Sequence, residues 1–326
     1  MPGGLDDWQT IDIPSESGRP SRDLPCVLVE GNLGIPKKVA QQLYLSAIAL
    51  PWRSFREPNT SITATTLILI SNPAHQTALN VRKRLILTGH IHPQKELRYL
   101  ELLLRGLNEC AKQSIFWDHR RWCLTRVYGR IGQIASPCPT LEHFSSDSLF
   151  PNMGQGDIRK EVGIVYHTCE TYPRNYHAWN YLHWLINGTF SSVYHHLSDE
   201  TGRGDFLKVL VNVYRELGAW VELHPSDYSA IHQLCQMQAI MEHLREAGVL
   251  TEDAGEGTKS PSTLAGHCLS LLSSFPSHES LWLYLRLALR DEPRSHILDR
   301  VESDFNSNLH AAKLLDWYCR GNTNSD

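Results

Sequence analysis

One spacing constrains this chain more than any other feature. In four places a proline stands six residues ahead of a large apolar residue: Pro73 before Leu79, Pro173 before Trp179, Pro225 before Ile231 and Pro276 before Trp282. A fifth segment keeps its anchor as Trp117 and carries Ala111 at the proline position. The aligned stretches read "NPAHQTALNVRKRLI", "AKQSIFWDHRRWCL", "YPRNYHAWNYLHWL", "HPSDYSAIHQLCQM" and "FPSHESLWLYLRLA". Proline ends one helix and fixes the turn, a short polar or small-residue link follows, and the large residue opens the partner helix and wedges between neighbouring pairs. One helix pair cannot bury both its faces. The pairs must therefore stack, and the pattern predicts an all-α fold, a right-handed α-α superhelix of helix pairs.

Helical periodicity supports this between the anchors. Leu97, Leu100, Leu104 and Leu107 form one stripe, with Pro93 where a first turn tolerates it. Ile158, Val162, Val165 and Cys169 form a second behind an expected Asp157 cap, and Phe206, Leu210, Val213 and Leu217 a third. Ser260 and Pro261 predict the start of another helix. "CVLVE", at 26–30, is the only short strand candidate. Residues 1–24 hold too little apolar material to offset the entropy of ordering and predict a disordered leader. A single helical-repeat domain is expected over 25–320, with a tail at 321–326. Loop composition predicts insertions near 132–156, 188–204 and 247–260. These also help to explain anchor intervals longer than the roughly 34-residue period of a tetratricopeptide repeat.

Composition removes several function classes. Against 35 acidic residues the 31 basic ones leave a formal charge of -4, which gives no general attraction to nucleic acid or an anionic membrane. The eight cysteines form no CxxC pair and read as reduced core residues of a cytosolic protein, not as a zinc site or disulfide frame. No apolar run approaches the roughly 18 residues of a membrane span. His195 and His196 are adjacent but lack the cysteine or acidic neighbours of a metal site. The basic run "VRKRL" at 81–85 reads as a solvated helix face.

The segments "NYHAW", "WDHRRW" and "NPAHQTALNVRK" resemble the repeats of protein prenyltransferase alpha subunits, over roughly residues 26–290. The "VLVEGNLGI" stretch followed by the first repeat is most similar to the repeat-containing branch of that family. The resemblance implies an alpha-type subunit of a heterodimeric protein prenyltransferase, inactive alone, that wraps a separate beta subunit. The beta subunit would hold the catalytic Zn2+ and most of the isoprenoid pocket. The expected reaction transfers a geranylgeranyl group from geranylgeranyl diphosphate to a C-terminal cysteine of a client protein. A Rab geranylgeranyltransferase type of beta subunit is the expected partner, and the cytoplasm the expected compartment.

Carried over by register, the resemblance places Lys112 at the lysine that stabilises charge on the departing diphosphate. It places Asn175, Tyr176 and His177 in the substrate cleft, with Trp117, Arg120, Arg121, Trp179 and Trp282 as structural repeat anchors. Lys112 also fits a plain solvated lysine near a helix C-terminus, and Asn175 fits a turn residue that bonds backbone. Arg120 and Arg121 are expected to pair with carboxylates between repeats, and Trp122 and Trp184 to join the core wedges. The sequence departs from the family pattern at Gln113 and Ser114, where Asn-Tyr is usual, and at Ile231, which replaces a tryptophan. The competing expectation is a helical-repeat adaptor without catalytic work.

Overall fold

The computed structural model describes residues 27–29, 32–54, 56–129, 150–250, 263–289 and 294–322. The leader expected at 1–24, most of the insertions expected near 132–156 and 247–260, the Ser260–Pro261 helix start and residues 323–326 lie outside them. The chain divides into two compact units, Met1–Val127 and Tyr128–Asp326, where one domain was expected.

The first unit opens with a small antiparallel hairpin. Strand β1 (Val27–Val29) lies within the stretch read as strand-like, and it pairs with β2 (Asn32–Gly34) in the register Val27 to Gly34, Leu28 to Leu33 and Val29 to Asn32. Everything else of regular structure among the described residues of this unit is helical. Helix α1 (Lys37–Ala49) packs on α2 (Pro58–Ser71), which packs on α3 (Gln76–Leu87). Then come α4 (Pro93–Gly106), the single turn α5 (Asn108–Ala111) and α6 (Ser114–Tyr128). Proline stands at the start of α2 and α4, where its missing N–H costs nothing.

The second unit contains α7 (Gln155–Thr171), α8 (Tyr176–His195), α9 (Glu200–Leu223), α10 (Tyr228–Glu246), α11 (Leu264–Ser274), α12 (Glu279–Ala288), α13 (Arg294–Asp304) and α14 (Leu309–Asn322). Consecutive helices pair, and the second members α8, α10, α12 and α14 pack on one another in chain order while α7 packs on α9. That two-layer stacking is the all-α helical repeat the spacing predicts.

All five anchors occupy one structural position. Leu79, Trp117, Trp179, Ile231 and Trp282 are each the fourth residue of α3, α6, α8, α10 and α12, and all are buried. Burying a side chain of this size contributes roughly 2–3 kcal/mol. The six-residue offset has a direct cause in two copies. The Trp117 indole N–H donates to the carbonyl of Ala111 at 2.9 Å, and the Trp282 indole to that of Pro276 at 2.8 Å, so the ring pins the preceding turn. Trp179 instead donates to Asp227 of the following pair at 3.2 Å.

The structure corrects three local expectations. Residues 188–204 are mostly helical: α8 runs to His195 and α9 starts at Glu200. Thr189 and Ser192 satisfy their hydroxyls on the carbonyls of Leu185 and Gly188 one turn back, and Gly188 leaves room for the Phe150 ring. Asp157 lies inside the first turn of α7, whose cap position is Gly154. Helix α11 begins at Leu264, with the Thr263 hydroxyl accepting from Gly266 N–H. Trp122 is half-buried between the cations of Lys83 and Arg126, at 5.6 and 5.1 Å from its ring, while Trp184 is buried.

A sixth copy of the turn went unread. It precedes α14, where Asn306 replaces proline and Ala312 stands at the anchor position. Asn308 accepts from His310 and Ala311 N–H and donates to the Pro276 carbonyl of the preceding turn at 2.8 Å.

Candidate functional site

The residues carried over from the family sit on two equivalent turns, one in each unit. In the first unit Lys112 closes α5 with right-handed helical backbone, five residues before Trp117. Its Nζ lies 2.6 Å from Glu109 Oε1, one turn back, and its side chain is one-third exposed. The amine is thus accessible, and a carboxylate already shares it. Glu109 is a residue the sequence reading missed, although an acid three places ahead of a lysine on a helix is a legible pairing signal.

In the second unit the turn before α8 gathers Asn175, Tyr176 and His177. Asn175 is buried, and its Oδ1 accepts from the N–H groups of His177 at 3.1 Å and Ala178 at 3.2 Å. It caps the helix, the backbone-bonding role open to it from sequence. Tyr176 points to solvent at 67% exposure, and its ring stands edge-on to His177 at 5.5 Å. His177 is half-buried. A phenol and an imidazole side by side offer hydrogen-bond donors to an anionic or peptide ligand.

The two anchor arginines sit in different surroundings. Arg120 is buried and donates to the carbonyl of Leu97 at 2.8 Å, a backbone contact beyond the carboxylate pairing expected for it. Arg121 lies 3.7 Å from Asp118 on its own helix.

A buried ionic cluster of the first unit was not anticipated. Arg82, read as part of a solvated run, is 4% exposed and grips Glu96 with Nε at 2.8 Å and Nη2 at 2.6 Å. His119 Nε2 lies 2.9 Å from the same carboxylate. The Arg82 guanidinium also donates to Thr66 at 3.0 Å and stands 4.3 Å from the Tyr99 ring. Burial alone would raise the Glu96 carboxyl, but the charge of Arg82 and the hydrogen bonds from His119 and Arg82 overcome it and hold the group down to about 2. Burial pushes His119 below its ordinary value against the pull of Glu96. These groups fasten α3, α4 and α6 together.

Other chemistry is disfavoured by the surroundings. Burial pushes the Cys110 thiol up to about 12 and also raises those of Cys123, Cys169 and Cys268, so these thiols are poor nucleophiles. Among the described residues no group of three or more His, Cys, Asp or Glu is placed to hold a metal ion. The His196 Nδ1 instead meets the carbonyl of Ser192 at 2.8 Å. No helix among them is long and apolar enough to cross a membrane.

Comparison with known proteins converges on the same region. Residues 158–189 match the family model of the protein prenyltransferase alpha subunit repeat, a span that covers most of α7, the capped turn and the first two-thirds of α8. Protein prenyltransferase alpha subunit repeat-containing protein 1 of Danio rerio is 29% identical over 303 residues, covering 84% of this chain and 66% of the relative. The Homo sapiens protein of the same name is 28% identical over 307 residues, covering 84% of this chain and 70% of the relative. Protein 1-B of Xenopus laevis is 28% identical over 301 residues, with 80% and 63% covered. The chain thus spans about two-thirds of the length of these relatives.

Proposed function

Starting from a chain that carries a protein prenyltransferase alpha subunit repeat, we propose that it is the alpha-type subunit of a heterodimeric protein prenyltransferase. In this reading the partner is a beta subunit of the Rab geranylgeranyltransferase type. That partner supplies the zinc that activates the client's cysteine thiol and most of the isoprenoid site. The reaction moves a geranylgeranyl group from geranylgeranyl diphosphate to a C-terminal cysteine of a client protein, in the cytoplasm.

One observation carries the reading. The matched repeat holds Asn175, Tyr176 and His177 in register, with Asn175 spent on the helix cap, Tyr176 exposed and His177 half-buried beside it. The cap fixes where the two functional side chains leave the helix, so they are positioned before a ligand arrives. Lys112 supplies a cation for charge developing on the departing diphosphate, and it must exchange Glu109 for that anion.

The test is co-expression with candidate beta subunits, followed by size-exclusion chromatography and a geranylgeranyl-transfer assay. The expected result is a 1:1 complex that consumes geranylgeranyl diphosphate, with kcat reduced at least tenfold by Lys112→Ala. The 2.6 Å pairing of Lys112 with Glu109 favours a second reading, a non-catalytic adaptor that binds a protein partner. A stable complex without turnover, or with turnover that Lys112→Ala leaves untouched, selects the adaptor or removes the lysine from the mechanism respectively.

A further inference from the structure

Helix α1 comes first among the described helices of the first unit, and it is poorly covered. Of its side chains only Ala47 is buried, while Leu45 and Ile48, with Leu50 just beyond, are exposed. The end of a helical array ordinarily turns a polar face outward. Beside these residues lies an open cavity of about 640 Å3, walled in part by Tyr44, Ile48 and Leu50 and shared by the buried Trp52.

The charge on this face has one sign. The Arg53 guanidinium at the cavity stands 4.8 Å from the Trp52 ring, and no described residue makes an ion pair or hydrogen bond with it. Lys37 shares one stripe of α1 with Tyr44 and Ile48. His75, also at the cavity, spends Nδ1 on the Ala78 N–H at 3.2 Å, which leaves its ring proton on Nε2 as a donor. From Ile35 to Arg56 the chain carries Lys37, Lys38, Arg53 and Arg56 and no aspartate or glutamate. An apolar surface rimmed by unpaired cations suits an acidic segment with large apolar side chains.

This chain contains such a segment. Residues 5–14, "LDDWQTIDIP", combine Asp6, Asp7 and Asp12 with Leu5, Trp8, Ile11 and Ile13 and carry no base. They lie outside the described residues. The chain enters the first unit beside the start of α1, since Val27 pairs with Gly34. Residues 15–26 can stretch over roughly 40 Å whereas α1 is about 20 Å long, so the segment can reach the cavity at the far end of the helix. A short tether also gives it a high effective concentration there. A second copy offering the same face would instead set Lys37 and Arg53 against their own kind.

We propose that residues 5–14 dock on this face of the first unit, with Trp8 in the cavity and the aspartates against Arg53 and Lys37, so that the chain caps its own array. The proposal stands apart from the prenyltransferase reading.

Hydrogen–deuterium exchange of the full chain tests it. Amides of residues 43–50 should exchange about fivefold or more slowly in the wild type than in Trp8→Ala, because docking suppresses local opening of α1, while α4 reports no difference. Arg53→Ala should remove most of that protection, and in the Trp8→Ala background it should have little further effect. Sodium chloride at about 1 M, which shortens the screening length to about 3 Å, should weaken the protection as well. A synthetic peptide of residues 5–14 should restore it to the Trp8→Ala chain, and the same peptide carrying Trp8→Ala should not.

Equal exchange in wild type and Trp8→Ala overturns the inference and leaves the face to another partner. Protection that rises with protein concentration overturns it too, because the segment would then come from a second copy. Neither result touches the prenyltransferase reading.

Discussion

Two places after the anchor tryptophan, the second pair carries His119, whose Nε2 lies 2.9 Å from Glu96; the third pair carries Tyr181, whose hydroxyl donates to Glu161 at 2.7 Å. Both acids sit on the first helix of their pair and both are buried. The fifth pair repeats the contact with Tyr284 and His267 at 3.0 Å. The second pair differs in adding a cation, Arg82 from the preceding pair, so that a full charge pair is sealed between helices. A recurring polar pin therefore takes a neutral-donor form, a tyrosine hydroxyl on an acid or an imidazole, and an ionic form, a cluster that fails badly when one member is lost.

The difference should appear most strongly on deletion of the acid. Glu96→Ala strands Arg82 and His119 in the interior and is expected to cost about 3–5 kcal/mol. Glu161→Ala removes the acceptor of the Tyr181 hydroxyl bond and should cost about 1–3 kcal/mol. Urea unfolding of the two variants checks the contrast, and equal losses would erase it.

Acid sharpens the comparison next. With its folded value held down at about 2 against 4.5, Glu96 contributes stability that is complete above pH 4.5 and lost as pH falls toward 2. His119, lowered from 6.5 by burial, adds stability that is present above pH 6.5 and also lost as pH falls. For Glu96 the loss is on the order of 3 kcal/mol. Limited proteolysis across pH 7 to 3 should cut within residues 1–127 first, and Glu96→Gln should flatten the dependence.

Within the second unit, Asp227 and Asn175 hold equivalent cap positions with unequal duties. Asp227 Oδ1 accepts from Ser229 and Ala230 N–H while Oδ2 accepts from the indoles of Trp179 and Trp220. Asp227→Ala should cost about 2–3 kcal/mol, against about 1 kcal/mol for Asn175→Ala, by thermal unfolding. Gly188→Ala falls between them at about 2 kcal/mol, because a Cβ there would sit 1.9 Å from the Phe150 ring. The smallest effect belongs to Lys112→Ala, whose exposed ion pair with Glu109 is worth at most a few tenths of a kcal/mol. A larger loss would show that this lysine holds the fold.

The sequence revealed the anchors because each combined bulk with a fixed distance from a turn-forming proline. The last copy escaped because Asn306 and Ala312 remove both signals and leave only the Asn308 cap. The helix through Gly188, Thr189 and Ser192 was mistaken for a loop because composition does not disclose that a hydroxyl can satisfy itself on the turn below, or that a glycine makes room for a ring. Arg82 was assigned to solvent because its partners lie on other helices, out of reach of any local pattern. Of the candidate site, the Asn-Tyr-His triplet could be read directly, whereas Glu109 and the left-handed backbone of Arg174 needed three dimensions.

The carbonyl of Pro276 receives both the indole of Trp282 from its own turn and the amide of Asn308 from the next. Such a doubly used acceptor acts as a ruler: one extra residue between proline and anchor would break both grips at once.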